Sequence, residues 1–598
     1  MVNAMNKPRE RKSRVPSRRT VDQGVPQIEK SFAASSRQRV SLYVSTAAAV
    51  ALPLCIAYQA PPQPAFISQA LGLGLWCLVL LVLATFPLIP AQRSRAQWAN
   101  IAIWVLLLLG VAISVLTQRS PAFVVAPSAA ALGMALTIAW LAQRVPTAWI
   151  GGWFAACCVG LLLAAGYNTF VTGLQSVAPN WYDEIWIAGR ADDRAFGNLR
   201  QPNLLATLTL WGLLALGLLV NRVRTSNAAR IALCLAVVAL LIVLAATGSR
   251  SGWLGLPIAF IAIMLVFAHD QPLKRRGVVL ALVVCAAVMA IALISVMWIT
   301  LLREGPLTSS SQRLSLWRDV LTLCATEPWL GVGFSQLNFA WTLTPFAERT
   351  PNLFDHAHSL PLQLAVELGL PLTLLILGAL VIAIAAERFN QHSALGRYRW
   401  IALGMLGVVL VHSLFEYPLW FAHFLMPTVL VLTLLVTRIH PASVEGEALA
   451  TATHRASSYW PAGLATLGIA ALFWAVSGYL NVVDIYRHTA NSERAMALAT
   501  QAQRHWLYGY YGDYAAIMLT GDGAELPLFQ RPARAIIDER FMVAWSRSLM
   551  REGQPERAAF IGARAREFPA HPLFNELPRV ALEPGAAASM PRGPSAFR

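Results

Sequence analysis

From residue 41 onward the chain alternates long apolar runs with short polar stretches, and each run is about twenty residues long. At 1.5 Å of rise per residue, a run of that length crosses the ~30 Å hydrocarbon core of a bilayer as a helix. Thirteen such runs centre on 41–58, 66–90, 99–116, 126–143, 148–167, 203–220, 231–247, 252–268, 277–300, 359–386, 400–414, 419–437 and 462–483. The pattern therefore predicts an all-α polytopic membrane protein with about thirteen transmembrane helices. Two linkers are much longer than the rest, 168–202 and 301–358. Within the second, the Leu/Trp spacing of "SSSQRLSLWRDVLTLCATEPWLGVGFSQLNFAWTL" predicts a helix lying along the membrane face.

After residue 484 the apolar runs stop and short amphipathic helices take over. In "FMVAWSRSLMREGQPERAAFIGARAREFPAHP", Trp545, Leu549, Gly553, Ala558, Ala559, Ala565 and Pro569 are spaced as in one tetratricopeptide-like helix–turn–helix, a protein-contact unit. The expected organisation is a basic tail over 1–40, a membrane domain over 41–484 and a small helical domain over 485–598.

Charge gives the runs a direction. Ten Lys and Arg fall in the first forty residues, with no small-residue cleavage site after a short apolar core, so this segment reads as a cytoplasmic tail and not a signal peptide. With the N-terminus inside, the inner linkers carry Arg93 and Arg95, Arg144, then Arg222, Arg224 and Arg230, then Lys274, Arg275 and Arg276. Arg388, Arg397 and Arg399, then Arg438 and Arg455, continue the series, whereas the outer linkers "QAPPQPAF" and "EYP" hold no Lys or Arg. The positive-inside rule then predicts that both long linkers and the C-terminal domain lie outside, in the periplasm of a Gram-negative host. With 57% hydrophobic and only 13% charged residues, and a mean hydropathy of +0.54, a soluble protein is excluded. The net charge of +17 belongs to the tail and linkers, without the aromatic-interleaved basic fold of a nucleic-acid binder. The seven cysteines sit mostly within the apolar runs and form no CxxC or Cys/His pattern, so they read as small fillers of helix contacts.

Ionisable groups beside apolar runs are functional candidates. Four sets fall on the predicted outer side. Arg200, Gln201 and Asn203 stand in "GNLRQPNLLATL", and Ser249 and Arg250 in the turn "TGSRSGWLG". Asp355, His356 and His358 open "DHAHSLPLQLAVELGLP", and His412, Glu416 and Tyr417 lie in "HSLFEYPLW". Each has a plain structural reading as well. Arg250 snorkels beside Trp253, His356 caps a helix with Asp355, Glu367 is a helix–helix hydrogen-bond partner, or Glu416 bonds exposed backbone at a Pro-terminated helix end. As one set, arginines, a histidine and a carboxylate at a single membrane face suit transfer from a lipid-linked pyrophosphate. Arginines neutralise the leaving group, and a neutral histidine takes the proton of an incoming hydroxyl. No DxD-like carboxylate cluster accompanies them, so the expected chemistry uses no metal and no cofactor.

"TGSRSGW" followed by "HAHSLPLQLAVELG" resembles the Wzy/WaaL superfamily of O-antigen polymerases and ligases. "FGNLRQPNLLA", "HSLFEYPLWFAHFLMP" and "VSGYLNVVDIY" are similar to its PglL-type protein O-oligosaccharyltransferases, and the likeness covers most of the chain from about residue 190. The resemblance implies a GT-C-like enzyme of the bacterial inner membrane with a periplasmic active site. It would move a preassembled glycan en bloc from undecaprenyl pyrophosphate to Ser or Thr of proteins such as pilins. It assigns His358 as the general base and Arg250 to the pyrophosphate, with Arg200, Gln201 and Asn203 positioning donor or acceptor. Arg313 corresponds to an arginine in the large loop, and Glu416 and Tyr417 shape the site. Many relatives have HAHN where this chain has "HAHS", so Ser359 bears on how the histidine is oriented. The runner-up functions are an O-antigen ligase acting on lipid A–core and a polymerase of lipid-linked glycans. A secondary transporter is disfavoured because the polar residues gather at one face, with no repeat or paired broken helices.

Overall fold

The computed structural model describes residues 25–568 and 577, apart from 86–92, 144, 146, 191–192, 221–225, 271–274, 304–308, 347–348, 351, 386–394, 438–458 and 488–491. Most of the predicted basic tail lies outside the described residues. So do Arg144, Arg222, Arg224, Lys274, Arg388, Arg438, Arg455 and Pro569. The described residues form twenty-one α-helices and no strand.

The first nine helices are α1 (Val25–Cys55), α2 (Phe66–Ala84), α3 (Arg95–Leu116), α4 (Ala122–Ala142), α5 (Thr147–Val177), α6 (Pro202–Val220), α7 (Asn227–Thr247), α8 (Arg250–Asp270) and α9 (Arg275–Arg303). Then come α10 (Ser309–Thr326), α11 (Leu337–Leu343), α12 (Leu360–Leu368), α13 (Leu370–Ala385), α14 (Gly396–Ser413), α15 (Ala422–Val436) and α16 (Trp460–Arg487). The C-terminal helices are α17 (Ser492–Gln503), α18 (Gly509–Thr520), α19 (Gln530–Ala533), α20 (Glu539–Arg551) and α21 (Pro555–Ala565). Among the described residues, eight helices are long and apolar enough to cross a membrane. Ala286–Trp298, Leu370–Ala385 and Ala422–Val436 are apolar but shorter. The protein is a multi-pass membrane protein.

Local chemistry sets the boundaries. Ser94 and Gln97 form a capping box at the start of α3, each bonding the other's backbone N–H at 3.2 and 2.9 Å. α7 ends at Gly248 in the left-handed conformation (φ 53°), and α8 begins two residues later. Helices α8 and α14, α1 and α5, α3 and α13, and α5 and α6 pack as pairs. Small residues allow the close approach: a Cβ on Gly404 would stand 2.6 Å from Ala262 Cβ.

One sequence expectation needs correction. The run 359–386 is not one continuous helix: α12 ends at Leu368 and α13 starts at Leu370. Gly369 between them has φ 83°, and the Leu370 N–H turns away to Pro328 O at 2.8 Å. A Cβ at Gly369 would lie 2.3 Å from Trp329 O, so only glycine lets the 329–331 backbone cross there. The helix–turn–helix exists as α20 and α21, with Gly553 at φ 70° in the turn. Its apolar face, with Phe541, Trp545 and Phe560, is buried in one cluster with Leu316 and Val320 of α10 and Phe339 and Trp341 of α11. Thus α10 contributes Leu316 and Val320 to the cluster that also holds the C-terminal helices, while Leu314 and Leu321 stay exposed.

Candidate active site

His358 stands on a short loop before α12 and not on the helix itself. Its φ of 48° is left-handed, a conformation that costs a residue with a Cβ and persists only when its surroundings enforce it. The enforcing contacts are on Ala357, which is fully buried. Its N–H donates to Gln363 Oε1 at 2.7 Å, and its carbonyl accepts from Trp317 Nε1 of α10 at 2.9 Å. With Ala357 held at both ends, His356 and His358 flank it with ring centroids 4.3 Å apart. Ser359 is at the N-cap of α12 but makes no side-chain cap bond. Gln363, one turn into the helix, orients this loop instead.

The turn after α14 brings Glu416 into the same place. His358 Nδ1 and Glu416 Oε2 are 2.9 Å apart. The other oxygen, Oε1, accepts from Asn203 Nδ2 of α6 at 3.1 Å and pairs with the Arg313 guanidinium of α10. Four distant segments therefore meet on one carboxylate that is 3% exposed. Burial pushes that carboxyl up, but the His358 hydrogen bond and the neighbouring Arg313 and His358 charges outweigh it and hold its pKa below the ordinary value. Tyr417 packs against His356 with centroids 3.5 Å apart, and Asp355 holds His356 Nδ1. Burial, then the carboxylates of Asp355 and Glu416, raise the Tyr417 hydroxyl pKa, so it stays protonated.

The other sequence candidates surround this centre at different distances. Arg200, at φ 54°, donates to Ala57 O at 2.9 Å, at the loop following α1. The Gln201 carbonyl accepts from Leu205 N–H at 3.1 Å in the first turn of α6. Ser249 is fully buried and accepts from Gly252 N–H at 3.1 Å, so its hydroxyl serves the first turn of α8. Arg250 is the first residue of that helix and half-buried. Sequence reasoning missed Arg194, which links these parts. Its Nε donates to Thr247 O at 2.8 Å, and its NH2 lies 3.4 Å from Asn203 Oδ1. A hydrogen-bonded path thus runs from the "TGSRSG" turn through Arg194 and Asn203 to Glu416 and His358. The signal for Arg194 was its place six residues before Arg200, in the same polar stretch. His412 instead bonds Thr207 at 2.7 Å, between α6 and α14. Glu367 Oε1 accepts the Leu337 N–H at 3.2 Å where α11 begins.

His356, His358 and Glu416 place three ligand-type atoms within 4.8 Å of one another. Both Glu416 oxygens are already engaged, one of them by a guanidinium. A divalent cation there would face Arg313 directly, so the donor set fits a cation poorly. It fits proton transfer better. With Nδ1–H donating to Glu416, Nε2 is the ring nitrogen left to accept a proton, the histidine–carboxylate arrangement that fixes a tautomer and steadies the imidazolium.

The chain matches three family models. Residues 235–377 match an O-antigen ligase model, 195–220 a protein glycosylation ligase model, and 400–576 the C-terminal part of a virulence-factor membrane-bound polymerase model. The first match holds Arg250, Arg313, His356 and His358, the second Arg200, Gln201 and Asn203, and the third Glu416 and Tyr417. The chain is also similar to a general O-oligosaccharyltransferase of Acinetobacter baylyi, 30% identical over 248 residues. That alignment covers 39% of this chain and 42% of the relative, so it spans less than half of either.

Proposed function

The chain belongs to the Wzy/WaaL superfamily, on its protein-glycosylation-ligase side, and from that premise we propose that it is a protein O-oligosaccharyltransferase. The donor is an oligosaccharide on undecaprenyl pyrophosphate, and the acceptor is a Ser or Thr hydroxyl of a periplasmic protein such as a pilin. The observation that carries the reading is the 2.9 Å His358–Glu416 hydrogen bond, set among Arg313 and Asn203. His358 Nε2 accepts the hydroxyl proton as the oxygen attacks the anomeric carbon. The bond from that carbon to the pyrophosphate oxygen breaks, and undecaprenyl pyrophosphate leaves. Arg250 and Arg313 stabilise the negative charge that grows on the leaving group. Arg200, Gln201 and Asn203 position donor or acceptor, and Tyr417 and His356 shape the cleft wall. The step needs no metal, since the guanidinium groups supply the positive charge. The centre faces the periplasm in this reading, and the membrane is the bacterial inner membrane.

The test is mass spectrometry of a pilin co-expressed with this protein and a lipid-linked glycan pathway, in a host lacking ligases of its own. The expected result is a glycan mass on a Ser or Thr peptide that disappears with His358→Ala while the membrane protein is still produced. Glycan found on lipid A–core, with the pilin unmodified, would instead make the O-antigen ligase reading correct.

A further inference from the structure

The linker between α5 and α6 contains a small hairpin that the site does not use. Asp183 and Ile187 exchange both backbone hydrogen bonds, at 2.9 and 3.1 Å, and Asp183 Oδ1 accepts the N–H of Ile185 and Trp186 at 2.9 and 2.7 Å. The tip is thus closed by its own hydrogen bonds. Its apolar side chains are nonetheless bare: Trp181 is 55%, Tyr182 64%, Ile185 50% and Trp186 48% exposed. Four large apolar groups on six consecutive residues make a patch that water alone does not favour.

The hairpin does not stand away from the membrane helices. It folds back along α5: Tyr167 OH donates to Trp186 O at 2.8 Å, and Gln175 Nε2 donates to Ala188 O at 2.8 Å. Tyr167 lies ten residues before the α5 end at Val177, about 15 Å of helix, so Trp186 returns to within reach of a side chain that far down. Along the same helix Leu163 and Phe170 are exposed, as lipid-facing residues of a spanning helix are. The patch lies beside this exposed surface, against the last three turns of α5. Trp and Tyr are the side chains that favour the membrane–water interface, with an apolar ring and a polar edge. Asp183 and Glu184 at the turn restrict the insertion to headgroup depth.

We propose that residues 181–186 form a membrane-interface anchor that inserts shallowly into the leaflet on the site's side of the bilayer. The anchor acts on the site through Asn198. This side chain donates to Trp186 O and to Cys55 O, and accepts the Ala188 N–H at 3.0 Å. Ile185 O also accepts Ala57 N–H at 2.8 Å, next to the carbonyl that Arg200 holds. The hairpin therefore fixes the depth of the Arg200–Asn203 segment relative to the lipid surface. This inference rests on the membrane-spanning fold and not on the proposed reaction.

The experiment is photolabelling of the full-length protein in phosphatidylethanolamine/phosphatidylglycerol nanodiscs. Two phosphatidylcholine probes are compared, one with a diazirine close to the glycerol ester and one with it at the acyl terminus, and adducts are located by tandem mass spectrometry. The expected result is labelling of residues 181–186 by the shallow probe, at least several-fold above the deep probe, with Phe170 labelled as an internal standard. In Trp181→Ser/Trp186→Ser protein the 181–186 adducts fall several-fold while Phe170 labelling stays. No adducts on 181–186, with Trp181 and Trp186 freely oxidised by hydroxyl radicals from the water phase, would overturn the proposal. Protection of those two residues by soluble glycan or by an acceptor protein, in place of lipid, would overturn it as well. The readout is lipid proximity, so it stands or falls independently of whether glycan is transferred.

Discussion

At the residue scale, the arrangement turns on a single carboxylate. Glu416 bonds His358, pairs with Arg313 and accepts from Asn203, so a change there reaches three polar groups of the centre directly. His358→Ala removes the proposed proton acceptor, and transfer is expected to fall by about 10²–10⁴-fold, read as glycosylated acceptor per unit time. Glu416→Gln keeps the shape but removes the charge that steadies the imidazolium. A fall of roughly 10²-fold in turnover is expected, with donor KM changed much less. Glu416 also predicts a pH signature. Its folded pKa lies below the ordinary carboxylate value, so its pairing contributes stability above the unfolded value of about 4.3 and loses it as pH falls through the folded value. The difference in melting temperature between parent and Glu416→Gln should therefore be constant near neutral pH and shrink in acid below about pH 4.3. A difference that grows in acid would contradict the depressed carboxyl.

At the scale of elements, the decisive feature is the break between α12 and α13. The chain at 329–333 passes so close to it that Gly331, at φ 65°, would put a Cβ 2.4 Å from the Glu367 carbonyl carbon. Val332 and Gly333 N–H donate to Val366 and Glu367 O at 2.8 and 3.1 Å, like a short strand laid on the end of α12. Arg119 pairs with Glu327 at 3.0 Å and also holds Gly331 O, which ties the segment to the end of α3. Gly369→Ala must therefore displace backbone as well as strain its own. A loss of about 1–3 kcal/mol is expected, read as a lower melting temperature in detergent, with a milder effect from Gly378→Ala, where the space is open. Because α12 follows directly from the His358 loop, the Gly369 variant should also lose turnover. Gly378→Ala should not.

At the scale of the molecule, the C-terminal helices and the long linker share one core. Phe541 is fully buried against Phe529 and Trp545, in the same cluster as side chains of α10 and α11, and α10 carries both Arg313 and Trp317. Phe541→Ala is expected to cost about 3–5 kcal/mol locally and to reduce transfer as well, since loosening α10 frees two groups that hold the centre. Proteolysis sensitivity of the 309–343 segment, measured beside turnover, checks the link. Turnover lost without increased cleavage would separate the two. Tyr479 accepts from Gln63 N–H at 2.8 Å, donates to Ala60 O at 3.1 Å and stacks on Phe66, so α16 is also keyed to the loop between α1 and α2.

The apolar runs determined the helical membrane fold by themselves, because a twenty-residue run without polar side chains has few other ways to satisfy its backbone in lipid. The candidate residues were legible for a similar reason: charged and imidazole groups beside such runs are costly and therefore conspicuous. His358, Glu416 and Asn203 were named from their neighbours in the chain and Arg313 from the family resemblance, and the four meet in space. Which of them touch was not legible. Glu416 and His358 are 58 residues apart, Asn203 and Glu416 are 213 apart, and no local pattern encodes a contact of that kind. Arg194 escaped because its role depends on Thr247 and Asn203, which only the packing of α6 against α7 brings to it. Gly369 was hidden inside an apolar run that reads as one helix, since the backbone crossing it belongs to residues 329–331. The sequence determined which segments enter the membrane and which side chains are anomalous there, for that depends on local hydrophobicity. Only the tertiary structure decided which of those side chains hydrogen-bond one another, for that depends on where separate helices end against one another.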